Sequence, residues 1–422
     1  STSVGFINAD DMWALGYTGQ GQTIAVIDTG IKVNHTNFAT APQDPHFDAA
    51  GIQSVLNRYD LCAEERYNGT LTGATLYHSA KLPFTFNYYA GNTDVSHASA
   101  GSDHGTHVSS IAAGCDSSSR GVAYNAQIIS MQVFQNGGAA WSEILAALED
   151  CAWLEVDALN MSLGSDNGFT QGEADMEEVF ALLTAHGVNC AVAAGNSGTA
   201  GSGNNYGSKQ PTFNMDNGVV ASPSTLGGSL SVAASSNSSS ATPTSYSSWG
   251  TTADLSIKPE IMAPGDNIRA ATDSQYSYSN YGTKSGTSMA SPHIAGSMVL
   301  VNQYVNTAFP SLSEQARMEM VNTLLMSTAV PSKSGNTPYS PRWQGAGQAN
   351  LTAAINTKAY IEVEGSLRPK IELGDDDDRT GIFNFSFDIV NFGSTAKTYT
   401  PTVYVLTENT GTVSIGGQSY YT

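Results

Sequence analysis

The 422-residue sequence predicts an α/β fold, a parallel sheet with helices on both faces, followed by a partial all-β domain. Three observations predict it. Short β-branched apolar runs alternate with amphipathic stretches of helical period up to about residue 327. Two of those runs end in chemically useful side chains, Asp28 and Asn196, and open α/β sheets place their sites at the carboxyl ends of their strands. From about Thr357 the pattern changes to alternating apolar and polar residues, as in half-exposed antiparallel strands.

The first strand is expected at residues 23–28 (TIAVID), apolar at nearly every position because both faces of a parallel strand are covered. Further strands are expected near 127–134, 156–162, 188–194 and 229–234, and helices near 104–113, 141–153, 173–186, 288–306 and 313–327. Residues 35–103 are rich in Tyr and Phe and read as a partly ordered insertion shaping one wall of a cleft. Residues 235–245 (SSNSSSATPTS) read as a flexible low-complexity bridge. Strands near 360–363, 382–389 and 402–406 are too few to close a sandwich, and domains are expected at 1–356 and 357–422. The acidic run at 374–379 (GDDDDR) lacks EF-hand spacing; it reads as a solvated turn, and no calcium site is assigned there.

Three motifs carry the chemistry: Asp28-Thr29-Gly30, Asp103-His104-Gly105-Thr106-His107, and Ser285-Gly286-Thr287-Ser288 running on to Pro292-His293. A serine hydroxyl is a poor nucleophile near neutral pH. It needs an imidazole to take its proton and a carboxylate to orient that imidazole. His104 precedes Val108, Ile111, Ala112 and Ala113, a helical pattern that puts it in a first turn. Ser288 precedes Met289, Ile294, Ala295, Met298, Val299 and Val301, another such pattern, and Pro292 is tolerable only within that helix's first turn. The helix dipole there favours developing negative charge. Asn196, at the end of the apolar run Cys190 to Ala194, supplies the side-chain amide that an oxyanion hole requires. Any one of these residues alone would read as a cap or a satisfied polar group; four in this order do not.

His104 and His107 stand one turn apart, as two metal ligands can, but no third ligand is at suitable spacing; His107 reads as structural. His35, His46, His78, His97, His186 and His293 are given surface or capping roles. The four cysteines, Cys62, Cys115, Cys151 and Cys190, are too sparse for a disulfide scaffold and read as free thiols, with one disulfide as the alternative. With 17 basic and 37 acidic residues, the net charge of −20 disfavours nucleic acid and anionic membranes as partners. No apolar run approaches a membrane span, and Ser1 to Gly5 lacks the basic start of a signal peptide.

The Asp-His-Ser order and the four motifs resemble the subtilisin-like serine proteases, whereas an esterase would show a Gly-x-Ser-x-Gly elbow and another order. Residues 77–91 (YHSAKLPFTFNYYAG), 217–221 (NGVVA) and 247–265 (SSWGTTADLSIKPEIMAPG) look like the bacterial cell-envelope subtilases, the lactocepin and C5a-peptidase group. The resemblance implies a serine endopeptidase acting through an acyl-enzyme, with Asp28, His104 and Ser288 as triad and Asn196 in the oxyanion hole. It implies a subtilisin-like sheet and a fibronectin-type domain from 357. A protease-associated insertion would be missing near 235–245, and a signal and pro-segment would have been removed upstream. Ser162, Leu163 and Gly164 would line the primary pocket and pair with substrate backbone, Ala193, Ala194 and Gly195 would form the opposite wall, and Trp141 would cover a second pocket unless it is core packing. An extracellular or cell-wall-attached monomer acting on polypeptides is implied. No cofactor is expected, with calcium left open and no site for it identifiable; the short turn between Asp116 and Arg120 leaves no room for the family's calcium loop, so that site is not carried over. The competing reading is a catalytically silent subtilase serving as a binding or signalling scaffold.

Overall fold

Every position of β1 (Thr23–Asp28) is buried, which is why its sequence is continuously apolar rather than alternating. The computed structural model describes residues 2–97, 101–166, 168, 173–198, 219–273, 279–366, 368–374 and 376–407, together with the backbone of two strands within 412–421. Six strands join β1: β2 (Phe84–Asn87), β3 (Gln127–Gln132), β4 (Ala158–Met161), β5 (Asn189–Ala193), β6 (Leu230–Ser235) and β7 (Ile261–Pro264). The sheet order is β2-β3-β1-β4-β5-β6-β7, with every pairing parallel. The main helices are α1 (His104–Ala113), α2 (Trp141–Trp153), α3 (Ala174–Ala185), α4 (Thr287–Ala308) and α5 (Glu314–Ser327). A two-stranded antiparallel ribbon, β8 (Ile268–Ala271) and β9 (Tyr281–Lys284), leads into α4.

The two faces of the sheet bury separate cores. Ile24 and Val26 of β1 point into one with Val108 and Ile111 of α1 and Ile294 and Met298 of α4. Ala25 and Ile27 point into the other with Ile144 and Leu148 of α2 and Phe180 and Leu183 of α3. Successive strand side chains face opposite ways, so one apolar run serves both layers.

The five predicted strands and five predicted helices all form. The edge strands β2 and β7 were not predicted. Both are four residues long, and β7 ends in Pro264, tolerated because an edge strand has a free side where no ladder donor is needed.

The expected insertion is more integrated than a cleft wall. It contains helices Ala49–Leu56 and Cys62–Arg66, contributes β2, and packs its Ile52, Leu56, Phe84 and Phe86 into the α2–α3 core. The buried Asp150 of α2 pins it there, accepting the N–H groups of Cys62 at 2.7 Å and Ala63 at 3.0 Å and the Tyr88 hydroxyl at 2.7 Å. Its later part also reaches the sheet's carboxyl edge, where Ile31 N–H donates to Val95 O at 2.9 Å.

Residues 235–245, expected to be a flexible bridge, form a closed turn. Ser236 N–H donates to Thr242 O at 2.8 Å and Thr244 N–H to Ala234 O at 2.9 Å, while the Ser236 and Ser238 hydroxyls bond each other at 2.9 Å. The hydroxyls that make the segment look low in complexity are what tie it down.

Beyond 357 the expected strands form only in part. Strand β10 (Ala359–Glu362) pairs antiparallel with β11 (Asp388–Asn391). Residues 382–387 and 402–406 join no ladder among the described residues, and Ile382, Val403 and Val405 are 70%, 81% and 85% exposed. Among the described residues no second sheet covers the apolar side of these segments. Residues 368–372 instead fold back on the β7 approach: Lys370 pairs with the buried Glu260 at 3.0 Å, and Glu372 accepts Ile257 N–H at 2.9 Å. At 374–379, Asp376 accepts the N–H groups of Thr380 and Gly381, the hydrogen bonds of a turn.

Candidate functional site

Asp28 ends β1 and His104 begins α1, so a strand end and a helix start deliver their side chains to one point. The 1%-exposed Asp28 carboxylate spans the imidazole: Oδ1 lies 2.9 Å and Oδ2 3.0 Å from His104 Nδ1. Thr29 N–H donates to Oδ1 at 2.7 Å, and Thr29 Oγ1 accepts Gly105 N–H at 2.8 Å, locking the two segments together. That approach requires glycine at 105, since a Cβ there would lie 2.1 Å from Gly30 O. With Nδ1 facing a carboxylate, the neutral ring carries its proton on Nδ1 and keeps the Nε2 lone pair for another partner.

Around the imidazole runs a charged network that the sequence did not reveal. Asp103 pairs with Lys284 at 2.7 Å and accepts Asp273 N–H at 3.0 Å, while the Asp273 carboxylate takes both Lys32 and, at 3.1 Å, His97. Burial opposes charging His104, but the Asp28 carboxylate outweighs it and raises the imidazole above its ordinary value of 6.5.

Ser288 is the second residue of α4 and half-buried. Its hydroxyl donates to Ser162 O at 3.2 Å, so a rotation of the side chain must precede any bond to His104. Pro292 corrects the sequence reading: it is the sixth residue of α4, beyond the first turn. A proline there removes the N–H that would bond the carbonyl four residues back, that of Ser288. The Ser162 hydroxyl donates to this carbonyl at 2.8 Å, and Asn160 Nδ2 donates to Ser162 Oγ at 3.0 Å.

Asn196 follows the end of β5. Its Oδ1 accepts the N–H of Thr287 at 2.9 Å and the Thr287 hydroxyl at 3.1 Å, which turns Nδ2 the other way, with no acceptor among the described residues. Gly195, at φ +106°, makes the turn, and a Cβ there would lie 2.8 Å from Ser248 Oγ. Ser248 braces the turn from outside, donating its N–H to Gly195 O at 3.0 Å and accepting Ser197 N–H at 3.0 Å. Thr287 was legible as a hydroxyl beside Ser288; nothing in the sequence marked Ser248.

Of the proposed pocket walls, Ser162 is buried, Leu163 half-buried and Gly164 exposed. Ser165 and Ser222 exchange main-chain bonds at 2.9 Å in both directions, pairing this segment on one side. Ala193 and Ala194, expected on the opposite wall, are 4% and 0% exposed, and Ala194 spends its N–H on Val232 and its carbonyl on Ala221. The sheet core holds them, and only Gly195 of that trio is half-open. Trp141 starts α2 with 42% of its surface exposed, which rules out the core-packing alternative.

The remaining expected roles also have structural answers. His107 is buried under the site, with Nε2 3.0 Å from Ile268 O and 3.3 Å from Gly282 O, so it ties α1 to the β8–β9 ribbon; burial lowers it to about 4. His35 caps the turn at Thr36–Phe38 through Nδ1, and His293 is buried between Met289 O at 2.8 Å and Ser3 Oγ at 3.0 Å. All four thiols are free. Among the described residues no His, Cys, Asp or Glu cluster could hold a metal ion, and no helix is long and apolar enough to cross a membrane.

Comparison with known proteins gives the chain's kinship. The PII-type proteinase of Lacticaseibacillus paracasei is 24% identical over 585 aligned positions, covering 97% of this chain but 29% of the relative. Subtilisin DY of Bacillus licheniformis is 29% identical over 352 positions, covering 82% of this chain and 96% of the relative. The C5a peptidase of Streptococcus pyogenes is 34% identical over 136 positions, 32% of this chain and 11% of the relative. The chain thus spans under a third of the PII-type proteinase, and its relatives include members of the lactocepin and C5a-peptidase group. The sequence pattern of the subtilase family, Peptidase_S8, matches residues 19–347, and the chain belongs to that family.

Proposed function

We propose that this chain is a serine endopeptidase that cleaves extended polypeptides through an acyl-enzyme. The observation that carries the reading is the Asp28 carboxylate spanning His104 Nδ1, which leaves Nε2 as the base for the Ser288 hydroxyl. Ser288 Oγ attacks the scissile carbonyl as its proton passes to His104. The imidazolium, stabilised by Asp28, then protonates the leaving amine, and water hydrolyses the ester by the same route in reverse. Asn196 Nδ2 and the Ser288 N–H donate to the oxyanion. The exposed edge at Gly164 would take substrate backbone as an added strand, with the P1 side chain between Leu163 and Gly195 and Trp141 over a second apolar pocket.

We further propose that the enzyme acts outside a bacterial cell, free or attached to the wall, as a monomer whose partner is its polypeptide substrate. The kinship with the PII-type proteinase and C5a peptidase supports this setting, as does the acidic, cation-poor surface. The alignment with the PII-type proteinase runs to 585 positions against the 422 residues of this chain, so that relative carries residues this chain lacks; their place near 235–245 is proposed from the flanking sequence. A fluorophosphonate probe tests the central reading: labelling at Ser288 together with cleavage of a peptide library is expected. A folded chain that neither labels nor cleaves is the silent scaffold.

Two results should follow. Because the base must be neutral and His104 is raised above 6.5, kcat/KM should climb with pH through an inflection above that value and hold at mildly alkaline pH. A pH–rate profile with its maximum on the acid side of 5 contradicts His104 as base. Asn196→Ala should depress kcat by about 10² to 10³ and leave KM nearly unchanged, since the amide acts on charge that exists only in the transition state. A variant with parent kcat and raised KM would make Asn196 a ground-state contact.

A further inference from the structure

Within an α-helix each carbonyl accepts the N–H four residues on, and an interior proline leaves one carbonyl without that donor. In α4 that carbonyl belongs to Ser288 itself, because Pro292 stands four residues later. A carbonyl left without a donor is unfavourable, so its partner has leverage over the backbone there. The partner is the hydroxyl of Ser162, at 2.8 Å. Ser162 is 6% exposed and follows the end of β4, and its oxygen is steadied by the fully buried Asn160 at 3.0 Å.

We propose that the Ser162 side chain is a positioning residue for the nucleophile: through the carbonyl that Pro292 frees, it sets the peptide following Ser288 and hence the direction of its Cα–Cβ bond. This role belongs to the side chain and is separate from the backbone pairing proposed for residues 162–164. The inference rests on Ser288 being the nucleophile. Positioning of this kind acts on the reacting geometry rather than on substrate affinity, and small displacements of a reacting atom carry large rate effects.

The sequence partner of the defect supplies the test. Ser162→Ala should lower kcat on a peptide substrate roughly 10-fold at unchanged KM. Adding Pro292→Ala restores an N–H four residues after Ser288, so the helix can satisfy its own carbonyl. The double variant should therefore recover most of the lost kcat, with the effect of Pro292→Ala alone divided out in a double-mutant cycle. A merely structural loss at 162 would not be repaired by changing 292. Parent-like kcat in Ser162→Ala, or a double variant no better than Ser162→Ala, overturns the proposal. Melting temperatures of all variants separate lost folding from lost turnover. If the alanine variant does not accumulate folded, Ser162→Cys, which keeps the size but only a weak S–H donor, should show lowered kcat at unchanged KM, and parent-like turnover there overturns the proposal equally. Ser288→Ala runs alongside: if it retains activity, both the nucleophile assignment and this inference fall, whereas an inactive Ser288→Ala beside a parent-like Ser162→Ala removes the inference alone.

Discussion

Ser288→Ala should abolish peptide hydrolysis, by about 10⁶ in kcat, the scale on which removing the nucleophile acts in a serine protease of this family. The methyl group cannot attack, and among the described residues the hydroxyls on either side are already engaged: Thr287 is committed to Asn196 and Gly195, and Ser162 to the Ser288 carbonyl. The fold should survive. Among the described residues the Ser288 hydroxyl makes one bond, 3.2 Å to Ser162 O, at a half-buried position, so the stability lost is about 1 kcal/mol or less. Turnover of an activated peptide, fluorophosphonate labelling and a melting curve measure the three parts. A well-folded variant within tenfold of the parent rate would remove Ser288 from the mechanism.

Asp28→Asn should cost about 10⁴ in kcat at neutral pH, as the corresponding change does in a serine protease of another fold. The substitution preserves shape and inverts one bond. An asparagine that keeps its oxygen on Thr29 N–H, where Asp28 Oδ1 accepts at 2.7 Å, turns its amide N–H toward His104 Nδ1. The ring must then carry its proton on Nε2 and cannot accept one from Ser288. KM should change little, and parent-like kcat would show that the carboxylate does not orient the base. Stability should respond with a definite sign. His104 is raised in the folded state, so the pair stabilises the fold below the ordinary histidine value, and this contribution is lost as pH rises through the folded value. The asparagine variant's deficit in melting temperature should therefore be larger at about pH 6 than at about pH 9.

Much of this protein was legible in its sequence for a local reason. Burial on both faces makes a parallel strand continuously apolar, so Thr23–Asp28 announced itself; helical periodicity did the same for His104–Ala113 and Trp141–Trp153. The groups proposed to react were readable because each lies at the end of such an element. What depends on short or edge pairing was not: Phe84–Asn87 and Ile261–Pro264 carry too few residues to show a period. The segments at 382–387 and 402–406 have strand-like alternation but no ladder among the described residues, because alternation records a preference that only a partner strand can realise.

By itself, then, the sequence determined the periodic elements and the chain order of Asp28, His104, Asn196 and Ser288, while the place of Pro292 beyond the first turn of α4, and with it the freed Ser288 carbonyl, came from the fold. Only the tertiary structure decided which atoms meet. The donor for that carbonyl is Ser162, 126 residues away, and the acceptor face of Asn196 is held by Thr287, 91 residues away. It also decided that Ala193 and Ala194 lie inside the sheet core while Gly195 opens on the site. Periodicity is a property of neighbours in the chain, whereas these contacts belong to segments that the parallel sheet brings together, and no local pattern encodes them.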